Sequence, residues 1–374
     1  MLSKYYFMER SDNSRSNQLI INLSILLSQP TGISNYASNI VPYLKSLEPN
    51  LLTAQKRSEF NCYLVPDNLT PAQGIKGHLR RLLWTQLQLP KIYKNLKSRL
   101  LFSPLPEAPL NQNCRFVVMS HDLIPLRFPK RFSPLKLYWS YYIPQVLKQA
   151  QHIICNSQAT AQDIIDFYQI PASKITPIPL AYNRQHFRPI KEKWAENRRY
   201  FLYLGRHDPY KNLHRLIAAF AALPNRDEYE LWLAGPMDGR YTPALQTQVA
   251  ELGITEQVKF LNYVSYNELP KIINGAIALV FPSLWEGFGL PVLEAMACGT
   301  PVITSNLSSL PEVAGEAAIL INPYNTAEIT DAMQIIAEDR EVLSHLSTQG
   351  INRANQFSWE KTGLATAKVL SRYL

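Results

Sequence analysis

Phe281-Pro-Ser-Leu-Trp-Glu286-Gly-Phe-Gly-Leu290-Pro-Val-Leu-Glu294-Ala-Met-Ala-Cys-Gly299-Thr-Pro-Val-Ile-Thr-Ser-Asn306 is the stretch from which the rest of this chain can be read. The apolar run 276–281 that leads into it has the length and composition of a buried parallel strand. Beyond it, 291–297 is helix-competent, with Pro291 suited to a first helical position and Gly299 to a C-terminal stop. Between them, Gly287-Phe288-Gly289 is a loop whose backbone can approach a ligand closely. A helix start near Leu290 offers unpaired amide N–H groups and a partial positive charge, a natural seat for phosphate. Glu286 precedes the loop and Glu294 is expected in the first turn after it. Carboxylates are poor phosphate ligands but good acceptors for sugar hydroxyls. Taken singly, each is equally well a solvated charge. Strand, glycine loop, helix start and two acceptors together describe a site for a sugar nucleotide.

The same alternation extends in both directions. Strands are expected at 200–204, 231–234, 258–261, 277–281, 302–304 and 318–321. In the first half they are expected at 19–27, 59–65, 100–102, 115–119 and 152–155, with helical stretches between. Strands alternating with helices predict parallel, doubly wound α/β sheets. The polar, irregular run up to 199 reads as a linker, and 374 residues exceed the size at which one core keeps growing. Two domains are therefore expected, 1–185 and 186–356, followed by a helix over 357–374 opened by Ser358 as N-cap.

Composition narrows the class. At 46% hydrophobic and 18% charged the chain is of the ordinary globular kind. Cys62, Cys114, Cys155 and Cys298 show neither metal-ligand spacing nor a C-x-x-C pair, which points to a reducing compartment. No apolar run approaches the length of a membrane span, and 1–18 lacks the apolar core of a signal peptide. A cytoplasmic location is the expectation, with peripheral contact at the inner membrane face as its extension. Residues 1–180 hold 20 Lys and Arg against 9 Asp and Glu, so the whole positive excess lies there. No acid falls between Asp67 and Glu107, where Lys76, Arg80, Arg81, Lys91, Lys94, Lys97 and Arg99 mix with Leu82, Leu83, Trp84 and Leu87. Residues 76–99 thus read either as a basic amphipathic face for anionic lipid or as a solvated helix whose leucines and Trp84 are core. No nucleic-acid-binding signature is present.

Other segments carry chemistry. Gly205-Arg206-His207-Asp208-Pro209-Tyr210-Lys211-Asn212 follows a strand, so Arg206 and Lys211 can turn toward an anion at the sheet edge, or lie solvated in a loop with Asn212 as a helix cap. His121-Asp122 also ends a strand, where a histidine can reach a ligand crevice or be structural. Gly32, in Thr31-Gly32-Ile33-Ser34-Asn35-Tyr36, permits close backbone approach. Asn156-Ser157 reads most simply as an N-cap, and 234–239 mostly as a turn. No Asp-x-Asp lies at a strand end, and no G-x-G-x-x-G with a downstream acid points to a dehydrogenase.

Glu286 and Glu294 at E-x7-E spacing, with G-F-G-L-P between them and E-A-M-A-C-G-T-P-V-I after, resemble the motif of the family-4 retaining glycosyltransferases. The likeness spans nearly all of 19–370. It implies the GT-B fold: two facing Rossmann-like domains, the first for acceptor and the second for nucleotide sugar, with the last helix crossing back to the first. It implies that Arg206 and Lys211, in G-R-x4-K-N, grip the donor diphosphate. Glu286 would hold sugar hydroxyls, Glu294 the ribose, and His121 the transferred sugar. Gly32, Gly287, Phe288, Gly289 and Leu290 would complete the donor site. Where relatives commonly show G-I-G-R-Y, Ser34 and Asn35 stand here, which removes a basic contact from that loop. Neither a metal nor a cofactor is implied. The activity implied is retaining transfer of a hexose, by likeness to bacterial mannosyltransferases mannose from GDP-mannose, to a glycan or lipid-linked acceptor in polysaccharide or cell-envelope biosynthesis. Rival readings are a UDP-sugar-dependent transferase, a GT-B epimerase and a non-catalytic sugar-nucleotide binder.

Overall fold

Seven strands of the first half, β1 (Leu19–Asn22), β2 (Asn50–Thr53), β3 (Asn61–Leu64), β4 (Leu100–Ser103), β5 (Phe116–Ser120), β6 (His152–Cys155) and β7 (Ile175–Pro177), form one sheet in the order β3-β2-β1-β4-β5-β6-β7. Every neighbouring pair is parallel. The second half repeats the plan with β8 (Arg199–Leu204), β9 (Tyr229–Ala234), β10 (Val258–Leu261), β11 (Ala278–Phe281), β12 (Val302–Ser305) and β13 (Ile319–Ile321), ordered β10-β9-β8-β11-β12-β13 and again wholly parallel. This computed structural model describes residues 18–26, 32–70, 74–129, 135–190 and 199–374. The expected N-terminal segment 1–17, Leu27 and Thr31 with the loop before Gly32, and most of the linker lie outside the described residues.

The strand runs became strands because both faces of each sheet are covered. β1, β4, β5, β6, β11 and β12 are buried along their whole length, as unbroken apolar runs in a helix-covered parallel sheet require. Two strands, β2 and β7, are absent from the sequence expectation, and a third, β1, is shorter than expected. β2 holds only Leu51 and Leu52 as apolar residues, and β7 is three residues ending in Pro177, tolerable because it is the edge strand. β1 stops at Asn22 and does not run to residue 27. The Asn22 side chain accepts from the amide and hydroxyl of Ser24, turning the backbone out of the sheet.

The chain divides into two units. The first takes the residues up to Asn156, then Thr160–Pro179 and Trp359–Leu374; the second takes Ser157–Ala159 and Leu180–Ser358. The Trp359–Ser371 helix seats in the first unit through Gly363, where an added Cβ would come within 2.5 Å of the Tyr43 Cβ. Thr362 Oγ1 donates to the Pro179 carbonyl, and the Tyr373 hydroxyl lies 3.0 Å from His152 Nδ1.

In each unit the strand order reverses once, between β1 and β4 and between β8 and β11. A crevice opens at the carboxyl ends of the strands at such a switch point. The loops after β8 and β11 are Gly205–Asn212 and Pro282–Gly289, the segments singled out in the sequence.

Candidate active site

In the second unit the topology brings Lys211 and Glu286 together. Lys211 Nζ lies 2.5 Å from Glu286 Oε1, and both side chains are only 11% exposed. The ammonium also stands over the rings of Phe281 and Tyr210 at 5.2 and 5.1 Å. Such faces favour a cation, so the charge is held on three sides before any ligand arrives. Arg206 is different. It is 62% exposed and its Nε sits 3.1 Å from Asp208 Oδ2. It is an exposed fork held by little, since an exposed pair of this kind contributes little.

Asn212 is not the side-chain cap that the sequence suggested. It adopts left-handed backbone (φ 63°), makes no capping bond, and is fully buried. Its Nδ2 donates instead to the carbonyls of Pro282 (3.1 Å) and Pro323 (2.6 Å). One side chain therefore ties the loop after β8 to the loop after β11 and fixes the Lys211–Glu286 distance. Tyr203, buried on β8, donates to the Arg206 carbonyl at 2.8 Å, and the Leu284 amide donates to the Tyr210 carbonyl at 2.7 Å.

The Glu286–Gly289 turn is held from β12. The Glu286 amide donates to Ser308 Oγ at 3.0 Å, and the Ser309 hydroxyl lies 3.0 and 2.9 Å from the carbonyls of Glu286 and Phe288. Gly289 has φ 106° and an added Cβ would meet Leu310 at 2.7 Å, so only glycine fits there. The Phe288 ring is buried, edge-on to Phe357, which leaves only its backbone to a ligand. The helix starts at Leu290, one residue before Pro291, and so Glu294 is its fifth residue and not its fourth. Burial pushes the Glu294 carboxyl up to about 8. Across the site, Gly235 abuts Gly205 so closely that an added Cβ would overlap the Gly205 carbonyl. The neighbouring His207 is buried, with Nδ1 2.9 Å from Thr242 Oγ1.

The first unit builds its own cluster at its switch point. His121 follows β5 and its Nε2 lies 3.0 Å from the Pro104 carbonyl, just beyond β4. A carbonyl can only accept, so Nε2 carries the proton and Nδ1 is left as an acceptor. Burial lowers the imidazole to about 4, and it is neutral at pH 7. Tyr36, fully buried in the Gly32–Ile40 helix, packs edge-on to it at 5.3 Å. Gly32 is exposed at that helix's start with open space around it. Asp122 accepts from the Ile124 amide at 3.1 Å and so caps the next turn.

Asn212, Ser308, Ser309 and Tyr36 were not assigned site roles from sequence. Their signal was topological: each lies on a loop or helix start following a strand at or beside a switch point. Among the described residues no group of three or more His, Cys, Asp or Glu is placed to hold a metal ion.

The family described as "Glycosyltransferase Family 4" matches residues 30–186, and "Glycosyl transferases group 1" matches residues 185–353. The O-antigen chain mannosyltransferase RfbU of Salmonella typhimurium (strain LT2) is 30% identical over 342 residues, covering 88% of this chain and 94% of that protein. O-antigen chain mannosyltransferase B of Escherichia coli is 31% identical over 69% of this chain and 70% of its own length. Among solved structures, Anabaena HepE in complex with UDP and glucose superposes with a TM-score of 0.74 at 18% identity, covering 95% of this chain and all of that one. That likeness shows the two-domain α/β architecture of the GT-B fold.

Proposed function

Because the chain belongs to the group 1, family 4 glycosyltransferases, we propose that it transfers mannose from GDP-mannose, with retention and without a metal ion, to a glycan or lipid-linked acceptor. The setting is polysaccharide or cell-envelope biosynthesis in the cytoplasm, with peripheral membrane contact through residues 76–99. The observation that carries the chemistry is the Lys211–Glu286 pair, locked by Asn212 at the switch point of the second unit. The choice of mannose rests on the mannosyltransferases among its relatives.

In this reading the bond between the anomeric carbon and the diphosphate oxygen breaks, and its electron pair leaves with the diphosphate. Lys211 and Arg206 meet the charge that develops there, and the amide at Leu290 adds a fixed dipole. Lys211 has a poorly hydrated setting in which such a contact counts most. Glu286 accepts from sugar hydroxyls and Glu294 from the ribose. The acceptor hydroxyl enters on the face that the diphosphate leaves, and its proton passes to the departing phosphate oxygen. His121, neutral with Nδ1 free to accept, contacts the transferred sugar and takes no proton. The test is turnover of GDP-mannose, UDP-glucose and other nucleotide sugars with and without polysaccharide or lipid-phosphate acceptors. Acceptor-dependent release of GDP from GDP-mannose supports the reading. Donor consumption without acceptor would indicate an epimerase or hydrolase, and preference for a UDP-sugar would move the donor assignment.

A further inference from the structure

The Gly74–Leu87 helix is inverted relative to an ordinary surface helix. Its inward side holds Gly77, Arg81, Trp84 and Thr85. Arg81 there is neutralised by buried Glu107 through two parallel bonds, Nε to Oε2 at 2.7 Å and Nη2 to Oε1 at 2.8 Å. Its outward side carries Ile75, Leu79, Leu83 and Leu87, which are 57, 53, 61 and 59% exposed. Spacing of four places them in one row, about 18 Å long at 1.5 Å rise per residue. Helices normally turn such a row to the core, and a contiguous exposed one marks a surface that meets something.

A second element extends the row. The Tyr138–Tyr142 turn packs beside the helix, with Tyr138 edge-on to His78 at 4.8 Å and Gln86 Nε2 donating to the Tyr142 hydroxyl at 3.0 Å. This turn leaves Tyr141, and Leu137 before it, 65 and 69% exposed. The six apolar side chains sit among exposed Lys76, Arg80, Lys91 and Lys94, and no acid occurs between Asp67 and Glu107. A second copy of the chain would set these cations against themselves. An anionic bilayer satisfies both parts: headgroup phosphates meet the cations, and the headgroup–acyl boundary takes the leucines and the tyrosine.

We infer that the Gly74–Leu87 helix and the Tyr138–Tyr142 turn form a monotopic docking face whose Ile75, Leu79, Leu83 and Leu87 enter an anionic bilayer surface. This rests on the peripheral contact proposed above and names its contacting side chains. Trp84, grouped with the lipid-facing residues from sequence, is core and takes no part. Cosedimentation of the full chain with phosphatidylcholine vesicles, with and without phosphatidylglycerol, tests it. Binding is expected only to the anionic vesicles and falls as salt is raised. Leu79→Ser with Leu83→Ser should weaken it about tenfold or more while leaving the melting temperature unchanged. Hydrogen exchange on vesicles should slow in 74–87 and 137–142. Equal binding to both vesicle types, no binding to either, or undiminished binding of the double variant overturns the docking face. So does a double variant that turns a dimer of this chain into monomers without touching vesicle binding. GDP-mannose affinity, measured on the same samples by calorimetry, separates the two proposals: vesicle binding without donor binding upholds the face and removes the transferase reading alone.

Discussion

Glu294 and His121 are both kept neutral at pH 7 by burial, and the consequence differs for each. The Glu294 carboxyl is raised from 4.5 to about 8, so folding takes up a proton between those values and stability falls as pH rises through that window. Glu294→Gln, neutral throughout, should match the parent near pH 5 and melt higher above pH 8, by about 2–4 °C for each kcal/mol regained. Equal melting differences at both pH values would refute the shift. Ribose hydroxyls that donate to Glu294 favour its carboxylate, and donor affinity measured by calorimetry should tighten toward pH 8 in the parent and stay flat in the variant. His121, lowered to about 4, should leave the pH–rate profile without a step near 6.5. His121→Ala should lose about a hundredfold in kcat with donor affinity retained, since its expected contact is to the sugar; a lost donor affinity moves the residue to the binding site. The types and spacing of these residues were legible from sequence because motif and strand-end position coincide. The depth of Glu294 was not, because it hangs on a one-residue difference in helix start. Nor was Asn212 legible, since a left-handed asparagine reads as a cap until its partners, Pro282 and Pro323, are brought up by the fold.

Long apolar runs between turn residues made the elements readable, and the failures have physical causes. β2 needs only Leu51 and Leu52 because strands on either side cover it, and two leucines carry no periodicity. β7 hides behind a proline that an edge strand tolerates and a central one would not. The basic stretch shows the ambiguity in another form. Composition left open whether Trp84 met lipid or core, and the burial of Trp84 and of the Arg81–Glu107 pair settles that side of the helix as core, while Leu79, Leu83 and Leu87 stay outside. The last helix offers a direct check on element packing. Gly363 faces Tyr43 with no room for a methyl. Gly363→Ala improves helix propensity by roughly 1 kcal/mol, but overpacking costs about 1–3 kcal/mol. The net expectation is a lower melting temperature, with hydrogen exchange rising first in 359–371 and in the Val41–Leu47 turn it packs on. A stabilised variant would mean that Tyr43 moves aside at no cost.

Across the whole molecule, two units with the same parallel plan contribute different chemistry. The first offers a neutral histidine and a basic, leucine-studded surface; the second offers one fixed cation, Lys211, an exposed one, Arg206, and carboxylates at its switch point. That division predicts how charge on the leaving diphosphate is met. Lys211 is held by Glu286 and two aromatic rings and so costs little to orient at the moment of reaction, the condition under which a fixed charge acts best. In the proposed mechanism this cation takes the place of a divalent ion, and activity in excess EDTA is expected to be full. Lys211→Ala should lose about a hundred- to a thousandfold in kcat, and Arg206→Lys should not recover the two-point contact of a guanidinium. Lys211→Ala also strands a buried Glu286, so its melting temperature must be read beside its rate; Lys211→Met with Glu286→Gln removes both charges and separates lost catalysis from lost stability. In the proposed mechanism the acceptor enters where the diphosphate leaves, so proton NMR of the product should show the donor's anomeric configuration. An inverted product would require a base on the opposite face, a role that neutral His121 with a pKa of about 4 is poorly suited to fill. Activity abolished by chelation and restored by Mg²⁺ or Mn²⁺ would reassign the diphosphate charge from Lys211 to a metal, and leave the Lys211–Glu286 pair as a structural tie between the loops after β8 and β11.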